Sequence, residues 1–198
     1  MNMNMKIETK QTGRARRAFT LIEMIGVLAI IAILAALLVP KIFESINSAR
    51  INNTAVSYNT VKTAVMDHYA KYGSLNSTNG VTLLADQTNR FDLQLLLETF
   101  IDKPFVVKVG SASGVRVTSP ATYDLSGSGV NDTANATVVV EAYISGVPYA
   151  DAKDLNDRLD SEKPPFTFPA TAVADTKGRV KWDPAVSNGL VTIYISHR

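Results

Sequence analysis

Between Phe19 and Val39 lie 21 residues, of which only Glu23 is charged. As a helix rising 1.5 Å per residue this run is about 31 Å long, which matches the roughly 30 Å hydrocarbon layer of a bilayer. A helix apolar on every face is not the surface element of a soluble domain; it needs lipid or other protein around it. Glu23 lies near the start of the run. An acidic side chain at the centre of a spanning helix costs about 2.5 to 3.5 kcal/mol, and less toward the end. Two readings follow: a carboxylate at headgroup level with no role, or one that waits for a positive partner.

The charge before the run sets its direction. Residues 1–18 carry Lys6, Lys10, Arg14, Arg16 and Arg17 against Glu8, a net +4 in a chain whose formal charge is +2, so the remainder is about −2. The positive-inside rule keeps such a leader in the cytoplasm and sends the C-terminal side outward, in a single-span topology. A secretory signal would be cut after the apolar region; Ala35-Ala36 offers small residues, but further apolar residues, Pro40 and Lys41 follow, so no cut is expected there. Cysteine is absent, which excludes disulfides, thiolate metal sites and a cysteine nucleophile. Beyond the leader no basic patch of the kind that binds nucleic acid is visible.

The stretch Arg16-Arg17-Ala18-Phe19-Thr20-Leu21-Ile22-Glu23, its apolar continuation and Leu38-Val39-Pro40-Lys41-Ile42 resemble the N-terminus of bacterial type IV prepilins and of the pseudopilins of type II secretion systems. The ending at Pro40 is most like the major pseudopilin, and direct resemblance covers roughly residues 14 to 72. It implies a cut between Ala18 and Phe19 by a prepilin peptidase and N-methylation of the new amine on Phe19. Glu23, four residues later, then shares a helix face with that ammonium in the first turn, where the helix dipole favours a carboxylate. In a fibre the resemblance implies that Glu23 pairs with the amine of a neighbouring subunit and sets the axial register. The family pattern has Gly before the cut, whereas Ala18 adds a methyl group there. Gly13 does not substitute, because a cut after it makes Ala18 the fifth mature residue.

The implied function is that of a structural subunit of a type II secretion pseudopilus in the inner membrane, with its C-terminal domain in the periplasm. Its implied partners are other copies in a helical fibre, the prepilin peptidase/methyltransferase, the secretion platform and minor pseudopilins. A type IV pilus pilin, serving adhesion, motility or DNA uptake, is the near alternative. A membrane-anchored periplasmic enzyme or binding protein is the alternative of another class, and it leaves the Phe-Thr-Leu-Ile-Glu pattern unexplained.

The expected fold class is α+β, a long N-terminal helix whose first half spans the membrane and whose second half packs on a small antiparallel sheet. The expected organisation is a cleaved leader (1–18), a membrane or fibre-core helix (19–39), its amphipathic continuation (40–73) and a globular domain (74–198). Pro40 predicts a kink or local melting. Beyond it Ile42, Ile46, Ala49, Ile51, Ala55, Tyr58, Val61, Val65, Tyr69 and Tyr72 form a stripe at mostly three- and four-residue steps, and Gly73 is a stop signal. The tyrosines are read as core. Residues 74–90 read as a polar loop and 91–101 as a short buried helix. Strands are predicted at 104–109, 114–119, 136–144, 178–182 and 190–197, with a helix opened by Pro148 over 147–163.

Sites for chemistry are few. His68 and His197 are the two histidines, and neither has metal-ligand spacing. Asp151, Asp154, Asp157 and Asp160 recur at i, i+3 and read as a solvated helix face, with Lys153–Asp157 and Asp154–Arg158 as possible pairs. Carboxylates along a helix diverge too much to enclose calcium; the turn-rich segment 124–135 is the better cage, and no site is predicted in either. No cofactor, no nucleic acid and no catalytic group is expected.

Overall fold

The computed structural model describes residues 19–75, 90–118, 122–160, 168–170, 173–186 and 188–198. Their elements in chain order are α1 (Leu21–Tyr72), α2 (Phe91–Leu97), β1 (Ala112–Thr118), β2 (Val139–Ser145), α3 (Tyr149–Leu159), β3 (Val180–Asp183) and β4 (Leu190–His197). The class is α+β. The leader, most of the polar loop after Gly73 and the last residues of the helix expected over 147–163 lie outside the described residues.

The chain divides into two compact units at Glu44/Ser45. In the first, every described residue is exposed, and the helix is long and apolar enough to cross a membrane. Of the kink or local melting expected at Pro40, melting is absent: the helix runs unbroken through it.

In the second unit the four strands form one antiparallel sheet in the order β1-β2-β4-β3. Its inward residues, among them Val115, Ala142, Ile144, Ile193 and Trp182, make one apolar cluster with Ile51, Tyr58, Val61 and Val65 of α1. Each such side chain contributes about 1.5 to 3 kcal/mol by leaving water. The Tyr58 hydroxyl donates to the Tyr194 carbonyl at 2.5 Å, so the one polar atom of this core tyrosine is satisfied inside. Burial pushes its pKa up to about 12.

Three expectations are corrected. The stripe on α1 is displaced: Ile42, Ile46, Ala49 and Tyr69 are exposed, and the buried set is Ile51, Thr54, Tyr58, Val61, Ala64, Val65 and His68. The helix at 91–101 stops at Leu97, because Thr99 takes a left-handed backbone (φ 62°) and turns the chain. The segment 104–109 is not a strand despite its β-branched residues. Two of its amides are taken by side chains: Phe105 N–H donates to the Asp92 carboxylate at 3.1 Å and Val107 N–H to Ser113 Oγ at 3.1 Å. Ser113 Oγ in turn donates to the Phe105 carbonyl, so the alternate groups at Phe105 and Val107 that would form one side of a ladder are already bonded.

Asp92 organises this corner. Fully buried, it accepts from Arg90 Nε at 2.9 Å, Arg90 Nη2 at 2.7 Å, Phe105 N–H and Val115 N–H, joining α2, the 101–108 segment and β1 through one carboxylate.

Because the core of the second unit draws nothing from the apolar half of α1, the fragment Ser45–Arg198 is expected to be a soluble, cooperatively folding unit. Circular dichroism with urea titration checks this; soluble fragment with a random-coil spectrum would contradict it.

Candidate functional site

The head of α1 is built from Thr20 and Glu23. Thr20 precedes the first helical residue, and Thr20 Oγ1 accepts from the Glu23 N–H at 3.3 Å. Glu23 Oε2 reaches back and accepts from both the Thr20 N–H and the Thr20 hydroxyl, each at 2.8 Å. This is a reciprocal capping box: it satisfies orphan amides of the first turn and places a negative charge where the helix dipole welcomes one. The pattern Thr-x-x-Glu before an apolar run was visible in the sequence as the signature of this device. The reading of Glu23 as a charge awaiting a partner passed over it.

Among the described residues the surroundings of this head are apolar and uncovered. Phe19 is 78% exposed, and Leu21, Ile22, Ile25 and Leu28 are exposed beside it. The geometry therefore gives two things at once: a long surface that water does not favour, and one carboxylate at its tip held by local hydrogen bonds and reachable from outside. Ala18, the residue before the expected cut, lies outside the described residues, so the geometry of that bond is not described. Pro40 stands within the same helix and the structure brings it to no other candidate residue.

The other candidate groups are structural. His68 is buried between Tyr72, Phe91 and Phe100, with Nε2 3.2 Å from Glu98 Oε2. Burial holds its pKa below the ordinary histidine value, against the pull of Glu98. His197 faces the Tyr194 hydroxyl through Nδ1. Of the acidic stripe, Asp151 accepts from Asn47 Nδ2 at 2.9 Å, Asp157 pairs with Lys153 at 2.5 Å, and Asp160 accepts the Arg179 and Val180 amides at 2.8 and 2.7 Å. Arg158 donates to Asn52 at 2.6 Å, a partner the helical spacing did not suggest.

In the segment 124–135 the side chains turn inward on backbone. Asp124 accepts from Gly129 N–H at 2.8 Å, Asp132 from Ser126 N–H at 2.7 Å, and Asn131 from the Tyr123 and Thr133 amides. Among the described residues no group of three or more His, Asp or Glu side chains could hold a metal ion.

A network that sequence reasoning missed lies on the outer face of the sheet. Buried Glu141 accepts from Arg116 Nε at 2.7 Å and from the Tyr123 hydroxyl at 2.5 Å, and Lys181 lies over the Tyr123 ring. Burial first, then Glu141, raises the Tyr123 pKa well above its ordinary value. The cross-strand pair Arg116–Glu141 is a register contact, and only the pairing of β1 with β2 reveals it.

No curated protein and no solved structure gives a significant match to the chain. The head of α1 does have a counterpart: residues 13–39, which include Thr20, Glu23 and the whole apolar run, match the family described as the prokaryotic N-terminal methylation motif, and the chain carries a type IV prepilin-like signature there.

Proposed function

We propose that the chain is a structural subunit of a type II secretion pseudopilus. The peptidase cuts before Phe19, the new amine is methylated, the subunit is stored in the inner membrane, and copies polymerise into a fibre whose axial register is set by Glu23. The observation that carries this reading is the lone carboxylate at the tip of a fully exposed apolar helix, within a matched methylation motif. A tether has no need of that carboxylate. A fibre has, because a charge pair is the one directional contact available between otherwise featureless apolar helices. The Leu38-to-Ile42 ending and the absence of cysteine favour a pseudopilus over a type IV pilus. The globular domain over 74–198 faces the periplasm in this reading.

The first test is processing. Protein isolated from its own host is expected to begin at Phe19 with a methylated amine, and Ala18→Gly is expected to be cut at least as fast. Intact-mass analysis reads both. Retention of the leader, or a mature N-terminus beyond residue 35, counts against the proposal.

A further inference from the structure

We infer that Asn188-Gly189, in the turn between β3 and β4, is a self-modifying site gated by folding: the asparagine converts to isoaspartate while the hairpin is open, and closing the hairpin stops the reaction.

The chemistry needs only water. The backbone nitrogen of the residue after an asparagine loses its proton to solvent and attacks the side-chain Cγ. A new C–N bond forms, the Cγ–Nδ2 bond breaks, and ammonia leaves with a proton from solvent. Water then opens the imide ring at either carbonyl, giving aspartate or isoaspartate, and in the latter the main chain is rerouted through the side chain and is one carbon longer. Glycine in the second position presents its nitrogen with no side chain in the way. The sequence holds two such pairs, Asn79-Gly80 and Asn188-Gly189, of which the first lies outside the described residues.

The closed turn ties down the attacking atom. Asn188 is exposed, with a left-handed backbone (φ 56°) that asparagine tolerates. Gly189 beside it is buried and held at both ends: its N–H donates to the Val186 carbonyl at 2.9 Å, and its carbonyl accepts from the Val147 N–H at 2.9 Å. Val147 is gripped in its turn, because the Trp182 Nε1–H donates to the Val147 carbonyl at 3.3 Å. To reach Cγ of Asn188, the Gly189 nitrogen has to leave Val186, give up its proton and swing round between these fixed points. The reaction therefore runs through the open fraction alone.

The same packing rejects the product. A single Cβ added at Gly189 would collide with the Val147 carbonyl, so a main chain lengthened beside it has no room. A chain carrying isoaspartate at 188 cannot seat the turn on Val147 and loses the lead into β4, the strand bonded to both β2 and β3. The pair thus records the time a chain has spent with this hairpin open, and withdraws chains that have spent too long.

The test uses full-length protein in detergent micelles at mildly alkaline pH, folded or in unfolding concentrations of urea, with isoaspartate followed by mass-spectrometric peptide mapping. In urea Asn188 and Asn79 are expected to react at comparable rates, because both are the same dipeptide in an open chain. In the folded protein the rate at Asn188 is expected to fall about tenfold or more. Refolding the urea-aged protein and treating it with protease gives a second measurement. Isoaspartate at 188 should be depleted about tenfold from the resistant fraction, while Asn188→Asp, which has the main chain of the other product, should refold as wild type does. Equal rates at Asn188 in the folded and unfolded protein, an Asn188 inert in urea while Asn79 reacts, or isoaspartate 188 shared equally between the two protease fractions would each overturn the inference.

Discussion

Exchanging Glu23 for alanine is expected to leave the protein in the membrane and cut at Phe19, yet to stop fibre formation. Two losses are superposed in that variant. The bonds from the Thr20 N–H and hydroxyl to the carboxylate disappear, each worth about 0.5 to 1.5 kcal/mol, and the charge disappears from the apolar interior of the proposed fibre, where stripping one partner from a dehydrated ion pair costs about 3 to 5 kcal/mol. Glu23→Gln separates them. Glutamine serves a capping box as well as glutamate does, so the contacts with Thr20 survive while the charge does not. The Gln variant should be nearly as defective as Ala, with subunit addition weakened on the order of a hundredfold or more. Thr20→Ala, which loosens the box and keeps the carboxylate, should assemble far better than either. Fibre yield at equal membrane levels is the measurement. Wild-type yield from both Glu23 variants would return that residue to a passive place at headgroup level.

The second large effect is expected at Asp92. Its carboxylate accepts two guanidinium bonds and two backbone amides while fully buried. Asp92→Ala orphans both amides and strips Arg90 of its counter-charge, so a loss of about 3 to 5 kcal/mol is expected. Against the 5 to 15 kcal/mol that holds a typical domain together, such a loss empties a large share of the folded population above room temperature. Asp92→Asn keeps one acceptor oxygen but turns an amide toward Arg90, and should fall between. Urea titration of Ser45–Arg198 gives the values; a loss under about 1 kcal/mol for the alanine variant would show that the corner is held by its apolar neighbours alone.

Much of this architecture was legible in the residues. The apolar run and the three-to-four spacing after it specify one long helix, and Gly73, in the left-handed region at φ 67°, ends it where the pattern does. The alternation in residues 190–197 becomes β4, with Val191, Ile193 and Ile195 buried. What was not legible depends on partners distant in sequence. Residues 104–109 have the composition of a strand, but a strand needs a ladder, and Asp92 and Ser113 claim the alternate amides of Phe105 and Val107. His68 reads as an ordinary helix position until Phe91, Phe100 and Glu98 close over it. At the candidate site the failure was of another kind. Thr20 and Glu23 were both in view, and attention to the charge hid the local hydrogen bonds that hold it before any neighbour arrives.

The order of strands has a consequence for how the domain comes into being. β4 is the last element along the chain and lies in the interior of the sheet, between β2 and β3. Until it arrives β3 has no backbone partner among the described residues except across the bridge between Trp182 and Asp175, and β2 has an open edge, so the sheet is two separated fragments rather than a smaller version of itself. A chain that emerges N-terminal end first therefore lacks its interior strand until late, and the sheet closes in one long-range step. The interior strand works as the final key, because the sheet is joined only once residues 190–197 are in place.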